Sequence, residues 1–245
     1  MGRVKQNKKS TFIDMTAMSD VTVLLLTFFM LTSTFLAKEP FQPSTPPSVS
    51  EEEMPMTNVV EILVNPQGKI WLTMHNDTTQ AESNQKMRME LLDNMKDIYA
   101  QQTGKVIEFN DDQREAFGKL GSFGVPFDEL PAFLDAKPEE QDAWISGKEE
   151  EDGKHTGIPT KKQTQEEKDK YRNTQKGLTE FQMWIQAAVR SSNKKLTDNM
   201  MAGKGFALKA DQNTSFDVVH MVMDNMQTID KNKFILVTAL KTEED

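Results

Sequence analysis

Chemistry in this chain starts from one carboxylate, Asp20, set inside the apolar run Met15–Ala37, MTAMSDVTVLLLTFFMLTSTFLA. A charge at bilayer depth costs roughly 2.5 kcal/mol or more even on a lenient insertion scale, and any Leu would serve a plain anchor better. Thr16, Asp20, Thr27 and Thr34 are spaced 4, 7 and 7 residues apart. At about 100° per residue a helix keeps all four on one stripe about 60° wide. Such a stripe suits a helix facing a partner or a water-lined path. The threonines alone can equally bond back to their own backbone, which leaves Asp20 as the residue in need of a function. A carboxylate that meets water alternately from two sides carries protons, and one charge crossing the potential releases about 2.3 kcal/mol per 100 mV. One helix cannot build such a path, so partner helices are implied.

The elements that must position Asp20 follow from the surrounding pattern. The apolar run exceeds the roughly 20 residues a bilayer requires, which predicts a transmembrane helix over 13–37. Residues 1–12 form a basic tail with Arg3, Lys5, Lys8 and Lys9, expected to stay cytoplasmic by the positive-inside rule. The long apolar run, the acids Asp14 and Asp20 at its leading edge and the bulky exit Phe35-Leu36-Ala37 favour an uncleaved anchor over a cleaved signal peptide. Residues 38–58 are rich in Pro, Ser and Glu and read as an extended periplasmic linker.

Residues 59–245 read as a small periplasmic α+β domain. Val60–Val64 and Lys69–Thr73 alternate around the turn signal Asn65-Pro66-Gln67-Gly68, which predicts a β-hairpin. Met87, Leu91, Met95, Ile98 and Tyr99 predict a helix over 84–102, and Phe181, Trp184, Ile185, Ala188 and Val189 another over 178–191. A strand over 205–210, a helix capped by Ser215 with Phe216, Val219 and Met223 inward, and a last strand over 233–240 complete an α+β layer. Residues 104–177 read as a long polar insertion, with strand character at Val106–Phe109 and few apolar residues over 138–177.

Composition narrows the classes. The 245 residues carry a net charge of −9, and mean hydropathy is −0.60. With four bases in the first ten residues, the rest is more acidic still, which argues against nucleic acid as a partner. There is no Cys, so thiol catalysis and Cys-type zinc sites are excluded. His75, His155 and His220 are scattered without a ligand spacing, so no metal is expected. Gly118-Lys119 and Gly203-Lys204 lack the remainder of a phosphate loop, and no nucleophile elbow occurs. Asp211 and Asp224 read as surface acids. No cofactor and no enzymatic constellation are expected.

The run Ile13-Asp14-Met15-Thr16-Ala17-Met18-Ser19-Asp20-Val21, then Leu24-Leu25-Leu26 and Phe29-Met30, resembles the membrane signature of the ExbD/TolR family. That signature is approximately I-N-V-T-P-F-I-D-V followed by an aliphatic stretch ending in F-M. Leu208-Lys209-Ala210-Asp211, Phe216, Val218-Val219, Met223-Asp224 and Phe234–Leu240 resemble the family's C-terminal part. The resemblance implies a proton-driven motor subunit of the bacterial inner membrane, with Asp20 on the family's essential aspartate and Thr16, Thr27 and Thr34 on its polar face. It implies a homodimer inside a multi-span ExbB/TolQ-like ring, passing motion to a TonB-like or TolA-like transducer that energises outer-membrane transport. A Tol-type envelope role, a gliding-motility drive and an anchored periplasmic adaptor without a proton role are the alternatives. Asp14 and Ala17 depart from the family's Asn and Pro, and the 104–177 segment is foreign to short members.

Overall fold

A computed structural model describes residues 15–32, 43–48, 55, 57–75, 81–147, 155–237 and 239–240. The chain divides into two compact units, residues 1–37 and 38–245.

In the first unit, helix α1 spans Met15–Thr32, 18 residues. At about 1.5 Å per residue it rises about 27 Å, less than the roughly 30 Å of a hydrocarbon core, and Asp20 with the interspersed Ser and Thr dilutes its apolarity. Among the described residues no helix is long and apolar enough to cross a membrane. The transmembrane helix expected over 13–37 is therefore corrected to this shorter one. Residues 13–14 and 33–37, Thr34 among them, lie outside the described residues.

The second unit is built on a hairpin. Strand β2 (Val59–Val64) turns through Asn65–Gly68 into β3 (Ile70–His75). Gly68 takes φ +80°, a conformation that costs Gly little, and the Asn65 carbonyl and side chain accept from Gly68 N (2.9 Å) and Lys69 N (2.8 Å). The turn sets the antiparallel register Val64↔Ile70 through Val59↔His75. Strand β4 (Ser122–Phe123) extends this ladder antiparallel, while β5 (Phe206–Ala210) and β6 (Ile235–Val237) add in parallel, giving the order β4-β3-β2-β5-β6. The C-terminal strand expected over 233–240 is split: Ile235–Val237 joins this sheet, and Ala239–Leu240 pairs in parallel with Pro47–Ser48 of the linker.

Val60, Ile62, Val64, Leu72, Met74, Phe206 and Leu208 lie in the main core with α2 (Ala81–Thr103), α7 (Glu180–Val189) and α9 (Phe216–Thr228). The periodic residues of α2 and α7 point inward as their spacing requires: Met87, Leu91, Met95, Ile98, Phe181, Trp184 and Ile185 are all buried. In helix α9 Val219 and Met223 pack half-buried against the core as expected, but its fully buried apolar residues are Val222 and Met226. Phe216, expected inward, is 74% exposed, and the Ser215 side chain makes no cap bond.

The expected long polar insertion is instead part of the core. Residues 104–177 hold α3 (Asp111–Lys119), β4, α4 (Leu130–Asp135), α5 (Pro138–Ile145) and α6 (Gln165–Thr174), while Val106–Phe109 forms no strand. Phe123, Phe127 and Phe117 surround Trp184 at ring-centroid distances of 4.6, 5.7 and 6.0 Å, and Phe133 meets Trp144 at 5.7 Å. The segment's apolar residues are few but large, and each aromatic ring buries enough surface to anchor a turn of otherwise polar chain. Gln163, Gln182 and Asn225 add a buried amide network: Gln182 Nε2 donates to Gln163 Oε1 (2.9 Å) and to the Asn225 carbonyl (2.9 Å). Helix α8 (Lys194–Ala202) ends at Gly203, φ +82°.

Candidate functional site

Asp20 lies in the second turn of α1 and is the only charged residue of that helix. Its side chain is exposed, as are those of Val21, Val23, Leu24, Leu25, Leu26, Phe28 and Phe29 around the helix. A helix that is apolar all round belongs against another apolar surface rather than in water. Among the described residues no cation lies against Asp20. The Thr27 hydroxyl donates to the Leu24 carbonyl at 2.9 Å, Ser19 to Met15 at 2.8 Å, and Thr22 to Met18 and Ser19 at 2.8 Å each. These hydroxyls are satisfied within the helix, so Asp20 is the polar side chain still open to a partner. Thr16 shares its face.

The second unit gathers charge at two places. On the sheet face away from the main helical core, Glu61 of β2 is 4% exposed. Its carboxylate pairs with His75 Nε2 of β3 and, at 3.4 Å, with Lys209 Nζ of β5. The register explains the convergence: Glu61 faces Thr73 and Ala207 directly, and His75 and Lys209 stand two residues along on either neighbour, within reach of long side chains. Burial pushes the Glu61 carboxyl up, but the His75 imidazole and then the Lys209 ammonium outweigh it and hold the group below the usual carboxylate range.

The other charged place opens α7. Glu180 Oε1 accepts from Phe127 N at 2.8 Å. Burial, with Asp128 and Glu129 nearby, pushes its carboxyl up to about 8 against the pull of that N–H. Glu129 in turn binds His155 through Nδ1 (2.5 Å) and backbone N (2.9 Å).

Sequence reasoning missed both places. The one signal for Glu61 was a lone acid in the apolar strand VVEILV, and His75 reads as scattered until the hairpin register is laid out. His155 is 71% exposed yet paired. Asp211 and Asp224 serve separate roles. Asp211 accepts from the backbone N–H groups of Asn213 (2.9 Å) and Ser44 (3.0 Å), which keep its carboxyl low, and Asp224 faces Lys168 at 3.5 Å and His220 at 3.7 Å. A polar cleft of about 380 Å³ is lined by Asn58, Lys86, Glu90, Asn193, Lys194 and Lys195 among others. Its one carboxylate, Glu90, is engaged by Ser192 N (2.7 Å) and Oγ (2.8 Å), so the cleft offers lysine and amide donors rather than an acid–base pair. Among the described residues no group of three or more His, Asp or Glu side chains could hold a metal ion.

No curated protein and no solved structure matches this chain. Residues 6–121 match the family model described as biopolymer transport protein ExbD/TolR, a span that contains Asp20, the β2–β3 hairpin, α2 and α3. Asp20 on its apolar helix and the hairpin–helix unit both lie inside the span that matches the ExbD/TolR family model.

Proposed function

We propose that this chain is a subunit of a proton-motive-force-driven complex that energises biopolymer transport, with Asp20 carrying the proton. The observation that carries the reading is that Asp20 is the one charged residue of α1 and lies, amid exposed apolar side chains, inside the family-matched span. The exposed faces of α1 fit the helices of a multi-span ExbB/TolQ-like partner at the bacterial inner membrane. A second copy of this chain and a TonB-like transducer complete the assembly, and the transported cargo is chosen at the outer membrane. Thr16 and Thr27, with Thr34 further along the sequence, supply the polar side of the path.

In that setting Asp20 does its work by differential access. In the proposed cycle it takes up a proton between the partner helices. It releases the proton when rotation or sliding of the helices exposes it to water on the other side.

The test is Asp20→Asn in the native cell, with protein level and co-purification of the ring subunit followed in parallel. Asn keeps the shape and hydrogen bonding and holds no exchangeable charge. The expected outcome is loss of energised uptake with an intact complex. Normal uptake by the variant would refute the proton-carrying role and leave α1 as an attachment helix.

A further inference from the structure

Glu180 is a carboxylate that the proposed motor chemistry does not use, and its surroundings are built around its proton. It is the first residue of α7, where the helix dipole favours a negative charge. The Phe127 N–H and the Trp184 side chain also favour the charge, while burial and the acids Asp128 and Glu129 outweigh them. The side chain is half-buried, and its Oε1 accepts the Phe127 backbone N–H at 2.8 Å. The groups facing it are the acids Asp128 and Glu129 of the same loop and the phenol of Tyr99 on α2, whose own ionisation burial and the nearby acids discourage. Glu129 pairs on its far side with the His155 imidazole, and Lys69 lines the same pocket as Pro126 and His155.

The loop that Glu180 holds is wired into the rest of the unit. Phe127 is fully buried, its ring 4.8 Å from Tyr99, 5.6 Å from Phe109 and 5.7 Å from Trp184. Glu129 fastens the segment that begins at His155, in which Gly157 N donates to the Gly124 carbonyl at 2.7 Å and Ile158 N to the Ile70 carbonyl of β3 at 2.8 Å. A change at Glu180 therefore reaches the central sheet through covalent chain and hydrogen bonds alone.

We propose that Glu180 is a proton-binding site of the folded unit, and that its charge state sets how tightly the 126–129 loop is held against α7. With the proton on, Glu180 keeps one oxygen free to accept from Phe127 N and adds no charge to the loop. With the proton off, a third negative charge faces Asp128 and Glu129 in a poorly solvated place. Repulsion then drives these two outward, Glu129 toward His155. The carboxyl value of about 8 places this exchange close to neutral pH. The inference is independent of Asp20: it concerns residues 38–245 alone and stands or falls without the motor reading.

The experiment is a pH titration from 5 to 10 of the backbone amide resonances of the full-length chain in detergent micelles. Wild type is expected to show Phe127 N–H, and with it Gly157 N–H, moving with a single midpoint near pH 8. Glu180→Gln, which preserves shape and the acceptor oxygen, should abolish that transition. Asp128→Asn, which keeps Glu180 and relieves a like charge, should move the midpoint down by about one pH unit, a tenfold change in proton affinity. Absence of the transition in wild type, its persistence in Glu180→Gln, or an unmoved midpoint in Asp128→Asn each overturns the proposal. The Asp128 variant decides the matter even if Glu180→Gln fails to fold.

Discussion

On β2, Glu61 is 4% exposed and lies between His75 and Lys209; at the start of α7, Glu180 is also withdrawn from water but faces Asp128 and Glu129. Desolvation acts on both in the same direction, toward the neutral acid. The outcomes are opposite: Glu61 is held below the ordinary carboxylate value and Glu180 is raised to about 8. Burial therefore does not decide protonation here. It sets the stakes, and the sign of the neighbouring charge decides.

The largest effect should come from removing the cation on which Glu61 depends. Lys209→Met strands a buried carboxylate with His75 as its remaining partner. Breaking a buried pair by one partner costs about 3–5 kcal/mol, and the retained imidazole puts the expected loss at about 3 kcal/mol. Urea unfolding of the variant measures it. Pairing it with Glu61→Met removes the stranded charge and should recover most of the loss, since apolar replacement of a whole buried pair is often neutral. Failure to recover would mean that the Lys209 stem, rather than its charge, supports the sheet.

The next effect is one of sign. A carboxyl raised from 4.5 to about 8 in the folded state disfavours folding progressively as pH climbs between those values. The penalty is absent below about 4.5 and in full above about 8. Glu180→Gln should consequently match wild type near pH 4 and exceed it near pH 9, by at most about 1.4 kcal/mol for each pH unit of displacement. Glu61 works the other way. Its lowered carboxyl contributes stability above the ordinary carboxylate range and loses it as pH falls through the depressed value. Glu61→Gln should be weaker than wild type at neutral pH and converge with it in acid. Thermal unfolding midpoints at pH 4, 7 and 9 for the two variants distinguish these curves; slopes of the same sign would break the comparison.

The reason one carboxylate was legible and the other two were not lies in where their partners come from. Asp20 stands out by type alone, an acid in an apolar run. The hairpin, α2, α7 and β5 are legible because alternation and 3.6-residue spacing record which side of each element is buried. Glu61 becomes legible only through register, because Lys209 reaches it from β5, far along the chain, and His75 from a position diagonal to it. The setting of Glu180 depends on a loop whose fold is dictated by Phe117, Phe123 and Phe127 closing around Trp184. Three rings spread among the glycines and turn residues of 117–127 follow neither a helical nor an alternating period, yet they turn this segment into core. Phe216 errs the other way, an aromatic in helical register that nonetheless stays 74% exposed.

The smallest expected effect tests whether charge alone accounts for Glu180. Glu129 contributes to raising it, but less than Asp128 does, and its carboxylate is already engaged by His155, whose side chain is 71% exposed. An exposed ion pair of this kind contributes about 0–1 kcal/mol, so Glu129→Gln should alter stability by less than about 1 kcal/mol. It should also lower the midpoint of the Phe127 amide titration by less than Asp128→Asn does. His155→Ala should raise that midpoint slightly, since it frees Glu129 to face Glu180 with its full charge. If Glu129→Gln instead moved the midpoint further than Asp128→Asn, distance and screening would not be ordering the neighbours. The contrast between Glu61 and Glu180 would then have to rest on backbone geometry, with the Phe127 N–H as the group that tells the two sites apart.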